Sequence, residues 1–146
     1  MTNGNENPQL AFIRECVLLG RRWRAFYDEQ LKGTGLTLSR VTVLYWIDML
    51  DGTTTQRELA DIVGIEGPTL VRQLHALEAK GLVERIAMPG DRRAKGLRLT
   101  EAAQPIIQQI REMNEKISSD AFDRLDRRRL ASATSLVRDA RIALGA

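Results

Sequence analysis

The chain has 146 residues, 43% of them hydrophobic, with 22 Lys plus Arg against 19 Asp plus Glu for a net charge of +3. That length suits one domain, and the apolar content is too high for a disordered chain. One cysteine and one histidine exclude an intrachain disulfide framework and a zinc centre of the usual four ligands.

The longest unbroken apolar run, residues 43–47, is far shorter than the roughly 20 residues of a membrane span. Residues 1–8 are polar, with neither a basic n-region nor an apolar h-region. The expectation is a cytoplasmic chain without metal or cofactor, residues 1–8 a flexible tail and 9–146 one domain. Charge is more telling by position than by sum. Five basic residues (Arg85, Arg92, Arg93, Lys95 and Arg98) share one window with a single acid, Asp91, around Pro89-Gly90. Further clusters stand at Arg21, Arg22 and Arg24 and at residues 127–129.

Phe12, Ile13, Cys16, Val17, Leu19, Trp23, Phe26, Tyr27 and Leu31 recur in steps of three and four, which predicts a long first helix. Gly33 and Gly35 stop it. Ser39 can cap a second helix carrying Val41, Leu44, Tyr45, Ile47 and Met49 and ended by Gly52, with a β-favouring stub at residues 53–55. Thr55-Gln56-Arg57-Glu58 has capping-box spacing. A short helix follows with Leu59, Ala60 and Ile62 facing inward, and Gly64 supplies a tight interhelical turn. Gly67-Pro68 opens the next helix, proline being favoured in a first turn, and Gly81 follows its end.

Residues 82–86 and 96–99 alternate partially around Pro89-Gly90 and read as an antiparallel hairpin. Thr100 can cap a long helix that stacks Ile106, Ile110, Met113, Ile117 and Ala121. Pro105, about a turn in, predicts a lost hydrogen bond and a bend. A last helix from about Asp126 carries Leu130, Ala133, Leu136, Val137, Ala140 and Leu144.

Two helices joined by a tight glycine turn and followed by a hairpin make a winged helix-turn-helix. The fold class is mainly α with a small β-hairpin wing, the winged core spanning about residues 53–100. Leu59, Ala60, Val63, Gly64, Ile65 and Leu70 suit that unit, whereas Gln73 puts a polar group where an apolar one is wanted. At 100° per residue Leu70, Leu74 and Leu77 share the core face of the second helix. The other side carries Pro68 and Arg72, flanked by Thr69 and His75. A helix in a major groove reads bases with its N-terminal half, which nominates Pro68, Thr69 and Arg72. Arg72 can take a guanine in bidentate fashion, and Pro68 or the Thr69 methyl can meet a thymine methyl. Gln73 and His75 suit phosphates. The hairpin tip, with Asp91, Arg92, Arg93 and Lys95, is the second contact, an arginine there gaining from a narrow minor groove. Asp91 is close enough in sequence to hold the Arg93 guanidinium.

Residues 64–85, GIEGPTLVRQLHALEAKGLVER, and 91–107, DRRAKGLRLTEAAQPII, resemble the MarR family, and within it the SlyA-type regulators. The likeness extends to RRWRAFYDEQLKGTGLT at 21–37. It implies a homodimeric winged-helix transcription factor on a short pseudo-palindrome of double-stranded DNA, associated with the nucleoid when bound. Thr69 and Arg72 match the family's recognition-helix contacts, and Arg93, braced by Asp91, its wing-tip arginine. Apolar stripes on the terminal helices, about 9–33 and 101–145, independently suit pairing of two chains, with recognition helices meeting half-sites about 10 bp apart.

The SlyA-like resemblance also implies a small aromatic or phenolic anion such as salicylate as effector. Trp23 and Tyr27 offer stacking surfaces, Thr37 a hydroxyl, and Arg22 or Arg24 a carboxylate partner. Some family members sense peroxide with a first-helix cysteine. Here Ile13 takes that position, Cys16 falls almost a turn later, and Leu38 replaces one of two activating tyrosines, so Cys16 reads as a small hydrophobe. A redox sensor and a winged-helix protein-binding module without specific DNA binding are the alternatives. An enzyme is not expected, since His75 has no nucleophile beside it and residues 64–67 lack the phosphate-loop pattern.

Overall fold

A computed structural model describes residues 7–51 and 54–145, and of Arg92 the backbone only. The elements run α1 (Pro8–Gln30), α2 (Leu38–Met49), α3 (Gln56–Val63), α4 (Gly67–Ala79), β1 (Val83–Met88), β2 (Asp91–Leu99), a single 3₁₀ turn (Glu101–Ala103), α5 (Gln104–Phe122) and α6 (Arg127–Ala143). The described residues form two compact units, one ending at Val41 and the other beginning at Thr42.

In the first unit, Asn7 caps α1 by accepting from the amide of Gln9. Tyr27 is only 4% exposed, with the rings of Trp23 and Phe26 against it at centroid separations of 5.4 and 6.3 Å. The other apolar positions of α1 point largely to solvent, Leu10, Ile13, Val17 and Leu19 among them. The second helix begins one residue before the expected cap. Thr37, not Ser39, stands at its head, its hydroxyl accepting from the Arg40 amide at 3.4 Å and its carbonyl from Val41 at 3.0 Å. The expected stop at Gly52 and the first residue of the stub strand, Thr53, lie outside the described residues.

The core of the second unit is built on Leu44, Ile47, Leu59, Leu70, Leu74, Leu77, Leu97, Ile107 and Ile110, all fully buried. Gly64 closes α3 with φ +69°, a conformation a side chain disfavours. Ile62 departs from expectation: it is 42% exposed, and Leu59 is the side chain of α3 that is buried. Pro68 occupies the first turn of α4. The hairpin pairs Val83 with Leu99 and Glu84 with Arg98, and both strands run further than the alternation alone indicates. A third segment is stitched to it, the Leu97 amide donating to the Thr54 carbonyl at 3.0 Å and Thr55 bridging Gly96.

Pro105 does not bend a helix interior. The 3₁₀ turn takes up residues 101–103, so α5 starts at Gln104 and the proline falls in its first turn, where no N–H is required. Thr100 puts its hydroxyl on the Gly81 carbonyl rather than on the helix behind it. Within α5 the buried side chains are Ile107, Ile110 and Ile117, with Ile106 half-buried and Ala121 exposed. Asp126 caps α6 by accepting from the Arg129 amide at 2.9 Å. No residue of α6 is buried.

The capping box at α3 is complete. The Glu58 amide donates to Thr55 Oγ1 at 3.3 Å, and Glu58 Oε2 accepts from the Thr55 amide at 2.7 Å and its hydroxyl at 2.9 Å. Those bonds, the backbone one foremost, hold the Glu58 carboxyl below its ordinary value of 4.5. A depressed carboxyl contributes stability above its unfolded pKa and loses it as pH falls through the lower folded value. The gap in thermal midpoint between wild type and Glu58→Ala is therefore expected to hold from pH 7 to about 4.5 and to narrow on further acidification. Differential scanning calorimetry checks this, and a gap that is constant down to pH 3 contradicts it.

Candidate nucleic-acid interface

The face of α4 is decided by what its leucines bury. Leu70, Leu74 and Leu77 are fully enclosed, so the residues half a turn away must face solvent. Pro68, Arg72 and His75 are exposed there, and Thr69 is half-buried at the edge. Gln73 lies at the margin with its Oε1 enclosed and without a hydrogen-bond partner. Arg72, Arg93 and Lys95 take part in no ion pair among the described residues.

The wing owes its shape to an interruption of the ladder. Ala87 pairs with Lys95, but the next residue, Met88, pairs with Asp91, so residues 92–94 are extruded from the register. Extruded amides need acceptors. Asp91 supplies one: its Oδ1 accepts from the Arg93 amide at 2.9 Å and the Ala94 amide at 3.3 Å. The expected brace from Asp91 to the Arg93 guanidinium is thereby corrected. A carboxylate two residues from a bulge meets the freed backbone before it can reach a long side chain. The Arg93 side chain stays exposed, as does Lys95, while the side chain of Arg92 is outside what is described.

The other two basic residues of the window are already engaged. Arg98 pairs with Glu84, its register partner, at 2.8 Å. Arg85 donates from Nε to Glu78 at 2.8 Å and from Nη1 to Gln56 at 3.1 Å. Sequence reasoning missed Glu78 and Gln56. The one available signal was the acid in the last turn of α4, seven residues ahead of Arg85. A further pair, Arg111 with Asp48 at 2.8 Å, joins α5 to α2.

The candidate effector residues belong to the first unit. Arg22, Trp23, Arg24 and Tyr27 follow one another on α1, with Tyr27 buried and the others exposed. A surface cleft of about 480 Å³ is lined by Leu18, Arg21 and Arg22, of which only Arg22 was nominated. Thr37 has its hydroxyl at the head of α2, and Cys16 is a half-buried free thiol. Among the described residues no group of three His, Cys, Asp or Glu could hold a metal ion, and no helix is long and apolar enough to cross a membrane.

Replacing Asp91 separates its backbone role from its charge. Asp91→Ala is expected to speed amide exchange at Arg93 and Ala94 by roughly 5- to 10-fold, the worth of about 1 kcal/mol for a lost hydrogen bond. Asp91→Asn keeps an Oδ1 acceptor and much of the protection. Exchange measured by NMR that is unchanged at both amides in Asp91→Ala contradicts this assignment.

Comparison with known proteins places this arrangement. A model of the MarR family matches residues 34–94. The crystal structure of the transcriptional regulator PA3341 superposes with a TM-score of 0.84 at 36% identity, over 91% of this chain and 97% of that one. The DNA complex of S. aureus MepR matches at TM-score 0.79 and 17% identity, over 94% of this chain and 99% of that chain. The DNA complex of Streptococcus pneumoniae FabT matches at 0.70 and 16%, over 93% and 96%. These last two show the winged-helix fold. With more than a third of its residues identical to the first over nearly its full length, the chain belongs to the MarR family of transcriptional regulators.

Proposed function

We propose that the protein binds double-stranded DNA sequence-specifically as a homodimer on a pseudo-palindromic operator, and that a small aromatic carboxylate tunes this binding. One observation carries the reading. The same unit exposes Pro68, Arg72 and His75 on the outward side of α4, Arg93 on the extruded wing segment and Lys95 on the strand beside it, and among the described residues no acid forms an ion pair with either set. A helix N-terminus adds favourable dipole toward phosphate. Arg72 reads a base in the major groove, Thr69 and Pro68 meet its neighbours, and Arg93 enters the minor groove. Two similar folds, MepR and FabT, have been solved on DNA.

Pairing of two chains is supported by apolar side chains that a monomer leaves wet. Leu10, Ile13, Val17 and Leu19 on α1 are each more than half exposed, as are Leu136 and Ile142 on α6. An aromatic carboxylate acting at α1, with Arg22 as its counter-charge and Trp23 as its stacking surface, would favour a dimer geometry whose two α4 helices no longer match the half-sites. The readout is a protein that works in the cytoplasm on the nucleoid.

Arg72→Ala is expected to lose about 1–3 kcal/mol on operator and to relax preference at one base pair per half-site. Lys95→Ala is expected to weaken all duplexes alike and to lower the salt slope by about 0.9. Fluorescence anisotropy across a salt series checks both. Equal losses on operator and random duplex for Arg72→Ala contradict base reading by that side chain.

A further inference from the structure

Among the described side chains of the basic window, Arg85 is the one that holds three elements at once. It sits on β1 opposite Leu97. Its Nε donates to Glu78 Oε1, in the last turn of α4, at 2.8 Å, and its Nη1 donates to Gln56 Oε1, the first residue of α3, at 3.1 Å. The side chains of the Arg85–Glu78 pair are both less than a third exposed, which makes it, taken as a pair, less solvated than the other described ion pairs. A planar guanidinium with two acceptors fixes direction as well as distance.

The backbone at this corner turns through Gly81 at φ +68°, with the Gly81 and Leu82 amides donating to the carbonyls of Glu78 and Leu77. The C-terminal end of α4 is thus held by backbone on one side and by Arg85 on the other. The residues that meet DNA lie at the opposite end.

We propose that Arg85 is a positioning residue for DNA reading. By tying the end of α4 to β1 and to the head of α3, it sets the angle at which Thr69 and Arg72 meet the duplex relative to the wing. The inference rests on the DNA-reading function proposed above. Thr69 precedes Glu78 by about 13 Å of helix axis, so a tilt of about 5° at the anchored end moves it by about 1 Å. Bidentate base contacts do not tolerate such a displacement, whereas phosphate contacts through long lysines do. Arg85 is therefore needed for discrimination between sequences and not for attraction to DNA.

The test uses the full chain, a duplex selected from a random pool by the wild type, and a scrambled duplex of equal length. Arg85→Met and Glu78→Ala are each expected to lower the ratio of the two affinities by about tenfold, comparable to one mismatched base pair, with scrambled-duplex affinity and salt slope unchanged for Arg85→Met. The double variant is expected to lose no more than either single one. Glu78→Ala is the decisive arm, because removal of an acid should by electrostatics alone tighten binding to both duplexes. It also keeps the test open if Arg85→Met fails to fold. A fall of about 0.9 in the salt slope of Arg85→Met on both duplexes makes Arg85 a phosphate contact and overturns the proposal. A lowered thermal midpoint with the affinity ratio intact makes it a stabilising pair only, and overturns it too. A wild type that selects no preferred duplex overturns the DNA-reading function itself, and this inference with it.

Discussion

The azimuth of α4 is the constraint on which the interface depends. Three leucines at i, i+4 and i+7 are completely enclosed, and each is worth about 2–5 kcal/mol against truncation to alanine. No exposed polar contact on the opposite side can compete with that, so the rotation of the helix about its axis is settled by its buried face. Arg72, two residues past Leu70, is thrown outward as a consequence. Thr69 and Gln73 fall on the flanks, which is why one is half-buried and the other has its carbonyl enclosed. The fork of Arg85 then relates the hairpin to the same helix and to α3, and the stitch from Leu97 to Thr54 ties it to the segment ahead of α3.

Charge follows a similar logic of place over sum. A net charge of +3 would attract DNA only weakly. Within the window from Arg85 to Arg98, however, the acids Glu78 and Glu84 take up the two arginines nearest the body of the domain, and Asp91 is turned onto backbone amides. Among the described side chains of the window, Arg93 and Lys95 form no ion pair, the first where residues leave the ladder and the second beside it. Local field in an exposed loop is what steers a polyanion, and it extends about a Debye length. An ion pair that is spent on structure and an arginine left for a partner are indistinguishable in composition. Register tells them apart.

Much of this was legible in the sequence because the signals are local. The capping box at Thr55–Glu58, the left-handed Gly64, Pro68 in a first turn and the Pro89-Gly90 turn each involve residues within four positions of one another. The periodicity of Leu70, Leu74 and Leu77 needed only helix geometry. What escaped depended on distance or on exact phase. Asp91 was expected on a guanidinium because a bulge of residues 92–94 cannot be read from alternation. Pro105 was expected to bend a helix because a 3₁₀ turn ahead of it shifts the start by three residues. Ile62 was expected inside because an eight-residue helix gives the stripe too few turns to define its centre. Gln56 and Asp48 meet arginines 29 and 63 residues away, beyond any local pattern.

The central claim, that the outward face of α4 and the wing loop read DNA as a symmetric pair, is tested most directly by selecting bound duplexes from a random pool at about 150 mM salt. The account predicts an enriched palindrome with half-sites about one helical turn apart, and loss of that enrichment when salicylate is added. Binding that remains strongly salt-sensitive and blind to sequence would contradict it, leaving the wing cations as a nonspecific anchor.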